Sequence, residues 1–223
     1  MSQGKTLYFS PAEFLIMLEL AGETPCALLR SGAMPDDGEL TQAFVSLFQR
    51  GLILRTGDSF AVSGPGRMFA HIRNSPWAVF LSGKQPYESA AVCYVEEELL
   101  WLVELADVIV SRQYRVRPLE RANLREWLFD SGFLERPVLK DADAGELGEF
   151  FADELAEVGG RVLLRLEKYV NGGPLLVTHE VRKGRSGCLI CSRDEVEREV
   201  TIYTEEALSR MLADCFGKGE YGL

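Results

Sequence analysis

Turns constrain this chain more than anything else in it. Beyond Gly159-Gly160 the runs RVLLRLEKYV, LLVTHEVRK, GCLICSRD and VEREVTIYT follow one another, divided by Asn171-Gly172-Gly173-Pro174 and by Gly184 to Ser186. Short runs rich in Val, Ile, Leu, Thr and Tyr, bounded by Gly, Asn and Pro, read as antiparallel hairpins. From Trp77 an earlier series has the same character: WAVFLSG, AAVCYVEE, LLWLVELAD and VIVSRQYRVRPL, parted by Gly-Lys-Gln-Pro, by Glu96 to Glu98 and by Asp107. Each series closes in a helical pattern. The first spans Arg121 to Ser131, with Leu124, Trp127 and Leu128 on one face and Gly132 as its stop; the second spans Glu205 to Phe216. Shifting the numbering so that Val116 meets Val200 also brings Leu124 onto Leu208, and Trp127, Leu128 and Asp130 onto Met211, Leu212 and Asp214. This pseudo-repeat points to two related halves, each with a sheet face for helices to cover.

The stretch before the first meander is helical. Ser10 reads as an N-cap and Pro11 as the first helical residue, ahead of Phe14, Leu15, Met17 and Leu18 at helical spacing. A second helix is predicted over Glu39 to Gln49 through Leu40, Phe44, Leu47 and Phe48, with Gly51 ending it before an apolar strand, Leu52 to Leu54, and a turn at Thr56 to Ser59. Helix, helix and hairpin have the shape of a winged-helix unit. A DNA reader, however, lines the outer face of its last helix with basic and amide side chains. Here that helix offers Glu39, Thr41, Gln42, Ser46, Gln49 and a single Arg50. The fold class expected is therefore α+β: a quasi-symmetric two-half architecture with an antiparallel sheet, covering helices and a winged-helix-like N-terminal segment. Segments 1–75, 76–140 and 141–223 are its parts, joined in one body. Asp141 to Gly160 holds seven acidic residues and no basic one, yet Leu147, Phe150, Phe151, Leu155 and Val158 recur at helical spacing, which predicts an amphipathic helix after a linker over Glu135 to Ala144.

Charge and cysteine usage narrow the partners. At 223 residues and a formal charge of −10, the chain can bury a full core but is poorly suited to phosphate polymers, whose affinity comes from Lys and Arg displacing counterions. Nucleic acid is disfavoured, and a protein partner is expected. Met-Ser-Gln-Gly-Lys-Thr lacks the apolar core of a secretory leader, and no apolar run approaches a membrane span, so the expected location is the cytoplasm with no membrane partner. Five scattered cysteines, an odd number, fit reduced thiols better than a disulfide framework.

No catalytic, metal or cofactor constellation stands out. Cys188-Leu189-Ile190-Cys191 is the only CxxC, it has no second pair of ligands, and in an extended strand its two thiols face opposite ways. His71 and His179 sit in no nucleophile motif, although a Ser-His or Cys-His pair assembled in space stays open. Gly4-Lys5-Thr6 lacks the upstream glycine and the strand of a phosphate loop, and Glu96 to Glu98 reads as a solvated turn. Arg112, Arg115, Arg117, Arg121 and Arg125 form the one basic cluster. It is the candidate patch for an acidic partner, or else it pairs internally with the acidic 141–158 stretch.

The segment order, with "RGLI…G…V" (Arg50 to Ile53, Gly57, Val62), HIRNSP ahead of the first meander and REVTIYTEEALSRML near the end, resembles the EspG family. That resemblance implies a cytosolic chaperone of type VII (ESX) secretion, gripping helical substrates with a quasi-symmetric two-half α+β fold, and working without a cofactor or active site. None of the family's substrate-contact residues is carried over to a position here. The alternative is a winged-helix transcriptional regulator, or a protein-binding derivative of one.

Overall fold

The computed structural model describes residues 6–22, 35–83, 90–96, 99–106, 113–138, 161–184, 187–194 and 196–217. The class is α+β, with antiparallel strands and five α-helices among those residues. The chain divides into two compact units, each gathered from pieces distant in sequence: Met1–Ala78, Val92–Leu119 and Asn171–Gly173 in the first, and Val79–Ala91, Glu120–Val170 and Pro174–Leu223 in the second.

In the first unit, β1 (Leu7–Phe9) runs into α1 (Pro11–Ala21), followed by α2 (Asp37–Gln49), the hairpin β2 (Ile53–Thr56) and β3 (Ser59–Val62), a 3-10 turn (Gly64–Arg67) and α3 (Met68–Asn74). Ser10 caps α1 in a reciprocal box: its hydroxyl accepts the Glu13 N–H at 3.2 Å, and the Glu13 carboxylate accepts the Ser10 N–H at 2.8 Å. α2 begins two residues before the expected start, because Asp36 and Glu39 form a second box of the same kind. Gly51, at φ 66°, ends α2 in the left-handed region that favours glycine.

Phe9, Phe14 and Phe69 meet edge to face with centroids 5.2–6.5 Å apart, and Phe14 also lies 4.5 Å from Tyr114, so α1, α3 and the strands share one aromatic core. Strand order in this unit is β1, β7 (Gln113–Glu120), β6 (Leu99–Ala106), β5 (Ala90–Val95). β1 pairs antiparallel with β7, placing Leu7 opposite Val116 and Phe9 opposite Tyr114.

In the second unit the order is β4 (Trp77–Ser82), β8 (Arg161–Val170), β9 (Leu175–Lys183), β10 (Cys188–Arg193), β11 (Arg198–Ile202). The Asn-Gly-Gly-Pro signal forms the β8–β9 turn, with Gly172 at φ 69°. Register sorts this sheet into two faces. Leu166, His179, Ser192 and Glu199 lie side by side on one face, and Arg165, Glu180, Cys191 and Val200 on the other. α5 (Glu205–Phe216), capped by Thr204, packs against β8 and buries Leu208, Met211, Leu212, Cys215 and Phe216.

The helix expected over Arg121 to Ser131 opens as a 3-10 turn (Arg121–Asn123) and becomes α-helical only as α4 (Leu124–Asp130), with Gly132 at φ 74° just beyond it. The acidic helix expected at 141–160 lies outside the described residues, as does most of its linker.

Candidate interaction surfaces

The arginine cluster divides among several local partners. On β7, Arg115 and Arg117 share a sheet face, and both reach the carboxylate of Glu104 on β6. Arg115 donates two hydrogen bonds to it, at 2.9 and 2.7 Å, and Arg117 donates one at 3.0 Å. Glu104 is 9% exposed, and its carboxylate raises the pKa of Arg115. In the second unit Arg125 is buried, ion-paired with Glu205 at the start of α5 and set over the Phe129 ring. Arg121 lies beside Gly217, and Arg112 is outside the described residues. A strand-and-helix pattern alone cannot show these partners, because Glu104 and Glu205 reach the arginines only through tertiary packing.

His179 on β9 is 4% exposed and joins the sheet to α5. Its Nδ1 lies 2.8 Å from the Ser192 hydroxyl on β10, and its Nε2 lies 2.8 Å from the Asp214 carboxylate on α5. A carboxylate can only accept, so Nε2–H donates to Asp214; in the neutral ring Nδ1 then accepts from Ser192. A cavity of about 370 Å³ opens beside them, lined also by Val177, Ile190, Thr201 and Met211.

Nucleophile, base and orienting acid are thus in contact, but acyl transfer also needs hydrogen-bond donors at the developing oxyanion. Ser192 sits inside a strand paired on both sides, where the amides belong to the ladders. What this geometry supplies is a polar joint fixing α5 to the sheet.

Burial lowers the His179 pKa, against the opposing pull of Asp214. The unfolded chain therefore takes up its proton first as pH falls, and the joint's stability is complete above the ordinary imidazole pKa and declines below it. Urea midpoints are expected to drop between pH 7.5 and 5.5, and His179→Gln should flatten that decline. An unchanged decline in the variant would assign the pH dependence elsewhere.

On α2, Val45 is 49% and Phe48 52% exposed, three residues apart and so on one face, while Phe44 is half-buried with its ring edge-on to Phe60 of β3 at 4.6 Å. The result is an apolar shelf on the outer side of the helix. Polar neighbours on α2 are Glu39, Thr41, Gln42 and Gln49. Arg50, just past its end, is committed inward, donating to Glu13 at 2.8 Å and to the Tyr8 carbonyl at 2.8 Å. Glu13 also accepts the Ser46 hydroxyl at 2.7 Å, so one buried carboxylate caps α1 and ties it to α2. The sequence marked Phe48 only as a core position, and the shelf becomes visible once Leu47 and Ala43 are seen to take the inner face.

Among the described residues, no group of His, Cys, Asp and Glu could hold a metal ion, and no helix is long and apolar enough to cross a membrane. Cys93, Cys188, Cys191 and Cys215 form no disulfide among the described residues. His71 stacks on Trp101 at 5.3 Å and contacts Glu96 at 3.1 Å.

These features define an α+β protein with an apolar helix face and charged strand faces. No protein-family model and no curated protein matches the sequence. Among solved structures, the fold is similar to that of a chain in the structure of the Mycobacterium tuberculosis type VII secretion system chaperone EspG5 in complex with the PE25–PPE41 dimer. The TM-score is 0.55 and the identity 11%, covering 98% of this chain and 100% of that one. What the two share is the fold.

Proposed function

We propose that this protein holds another protein, as a chaperone or adaptor acting in the cytoplasm for a helical substrate of type VII secretion. The observation that carries the reading is the shelf of Phe44, Val45 and Phe48 on α2, which suits the apolar stripe of a partner helix. Support comes from the end-to-end likeness to a fold solved as a chaperone with its bound dimer. A net charge of −10 agrees, since it disfavours phosphate polymers.

The test is affinity capture from native cytosol, in moderate salt, with wild type and the Val45→Glu/Phe48→Asp pair. Any captured protein is then purified and titrated against both. The two side chains are exposed, so the pair should change stability by only about 0.5 kcal/mol. Wild type is expected to take up a helical secretion substrate and the variant to lose it. Equal capture by both, or retention of DNA with no protein partner, contradicts the reading.

A further inference from the structure

Three residues of α2 lie in a line along its outer side. At 3.6 residues per turn, Asp37, Phe44 and Phe48 fall within about 40° of one another around the helix axis, with Thr41 and Val45 beside them. Asp37 and Phe48 are exposed, and Phe44 is half-buried against Phe60. With a rise of 1.5 Å per residue, Asp37 stands about 10.5 Å from Phe44 and about 16.5 Å from Phe48 along the axis. The other charges near this line are engaged. Asp36 and Glu39 are held in their capping box, the Asp36 carboxylate accepting the Glu39 N–H at 2.8 Å and the Glu39 carboxylate accepting the Asp36 N–H at 3.0 Å. Arg50 is turned inward to Glu13, and at the β2–β3 turn Arg55 lies 3.9 Å from Asp58. Among the described residues none ion-pairs with the Asp37 carboxylate; only its backbone carbonyl is used, accepting the Thr41 hydroxyl at 2.7 Å. A helix laid along this line therefore meets apolar side chains at one end and a carboxylate that faces no cation at the other.

We propose that the partner helix seated on this shelf runs antiparallel to α2 and carries a lysine or arginine beyond its apolar anchors, placed to meet Asp37. The anchors, spaced like Phe44 and Phe48, are four residues apart; the first covers Phe48 and the second Phe44, and the basic residue follows the first by eleven positions, as far as Asp37 is from Phe48. Direction follows from the helix dipoles. In the antiparallel arrangement the basic residue falls in the last turn of the partner helix, where its own dipole favours a cation; in the parallel one it falls in the first turn, where the dipole opposes it. An exposed ion pair adds little affinity and acts chiefly on orientation and choice of partner. The inference rests on the protein-binding reading and deepens it, adding the direction and charge of the helix that the shelf takes.

The probe is an alanine-based peptide, stapled as a helix on its far face, with two leucines and one lysine at this spacing, titrated to millimolar concentration while amide NMR follows Asp37–Gln49. Controls are the same peptide with its sequence reversed, which puts the lysine ahead of the leucines, and one with glutamate in place of lysine. The lysine peptide is expected to bind about fivefold more tightly than either control. Asp37→Asn leaves the Asp36 box intact, so α2 stays formed, and it should level lysine and glutamate; Asp37→Lys should reverse the preference. Equal binding of the lysine and reversed peptides to wild type overturns the proposal. So does a preference for lysine that survives in Asp37→Asn, or the absence of any saturable shift over α2 with the lysine peptide. Val45→Glu/Phe48→Asp should bind none of the three. If that variant loses the captured partner while wild type shows no preference among the peptides, the inference on direction and charge falls alone. If the variant holds the captured partner as wild type does, the shelf reading falls with it.

Discussion

Gly66→Ala is expected to destabilise the first unit by about 2–3 kcal/mol, the usual cost of forcing a methyl into a filled core. A Cβ at Gly66 would lie 2.4 Å from the Leu52 carbonyl oxygen and 2.8 Å from the Met17 methyl. Met17 could rotate, but the carbonyl could not easily yield: it accepts the Ser63 N–H at 2.8 Å, and the Ser63 hydroxyl in turn holds the Gly51 carbonyl at 2.8 Å. Moving it would open the base of the β2–β3 hairpin where it leaves α2. Gly64→Ala makes a useful comparison, since its φ of 48° imposes backbone strain but its nearest contact is a looser 3.2 Å. Chemical unfolding of both variants measures the difference, and a loss below about 1 kcal/mol for Gly66→Ala would show that the hairpin base is softer than its hydrogen bonds imply.

The second large effect is non-additive. Removing Arg115 or Arg117 alone leaves Glu104 one guanidinium, so Arg115→Met and Arg117→Met should each cost about 1 kcal/mol. Together they strand a carboxylate that is 9% exposed, and the pair should cost about 3–5 kcal/mol. Adding Glu104→Leu removes the stranded charge and should restore most of the loss, because an apolar replacement of a buried ion cluster is often neutral. Equilibrium unfolding of wild type and the four variants measures both the coupling and the rescue. Simple additivity of the two arginine substitutions would mean that Glu104 finds other partners or water.

The sequence announced its local punctuation well. Asn171 to Pro174 separates β8 and β9 where expected, Ser10 and Pro11 open α1, and the last helix runs from Glu205 to Phe216 as predicted. Each of these signals acts over a few residues, through fixed φ, a capping oxygen or a missing N–H. What stayed hidden depends on contacts between distant segments. Glu13 lies in the first turn of α1 as the N3 partner of Ser10, and only packing shows that it also holds Ser46 and Arg50. His179 and Asp214 are 35 residues apart and meet because β9 and α5 share one face. Arg125 looks like a surface cation in a basic run, but it is buried against Phe129 and paired with Glu205. The place of β11 at the end of the strand order is invisible until the pairing is known, because VEREVTIYT reads the same at the centre of a sheet as at its margin.

The proposal that α2 holds a partner helix is tested most directly by hydrogen exchange on the purified protein, free and in complex with the substrate it captures. Slowed exchange is expected over Asp37–Gln49 and the β2–β3 hairpin on binding, lost in Val45→Glu/Phe48→Asp. Unchanged exchange over α2 in a saturated complex, with protection confined to other elements, would contradict it.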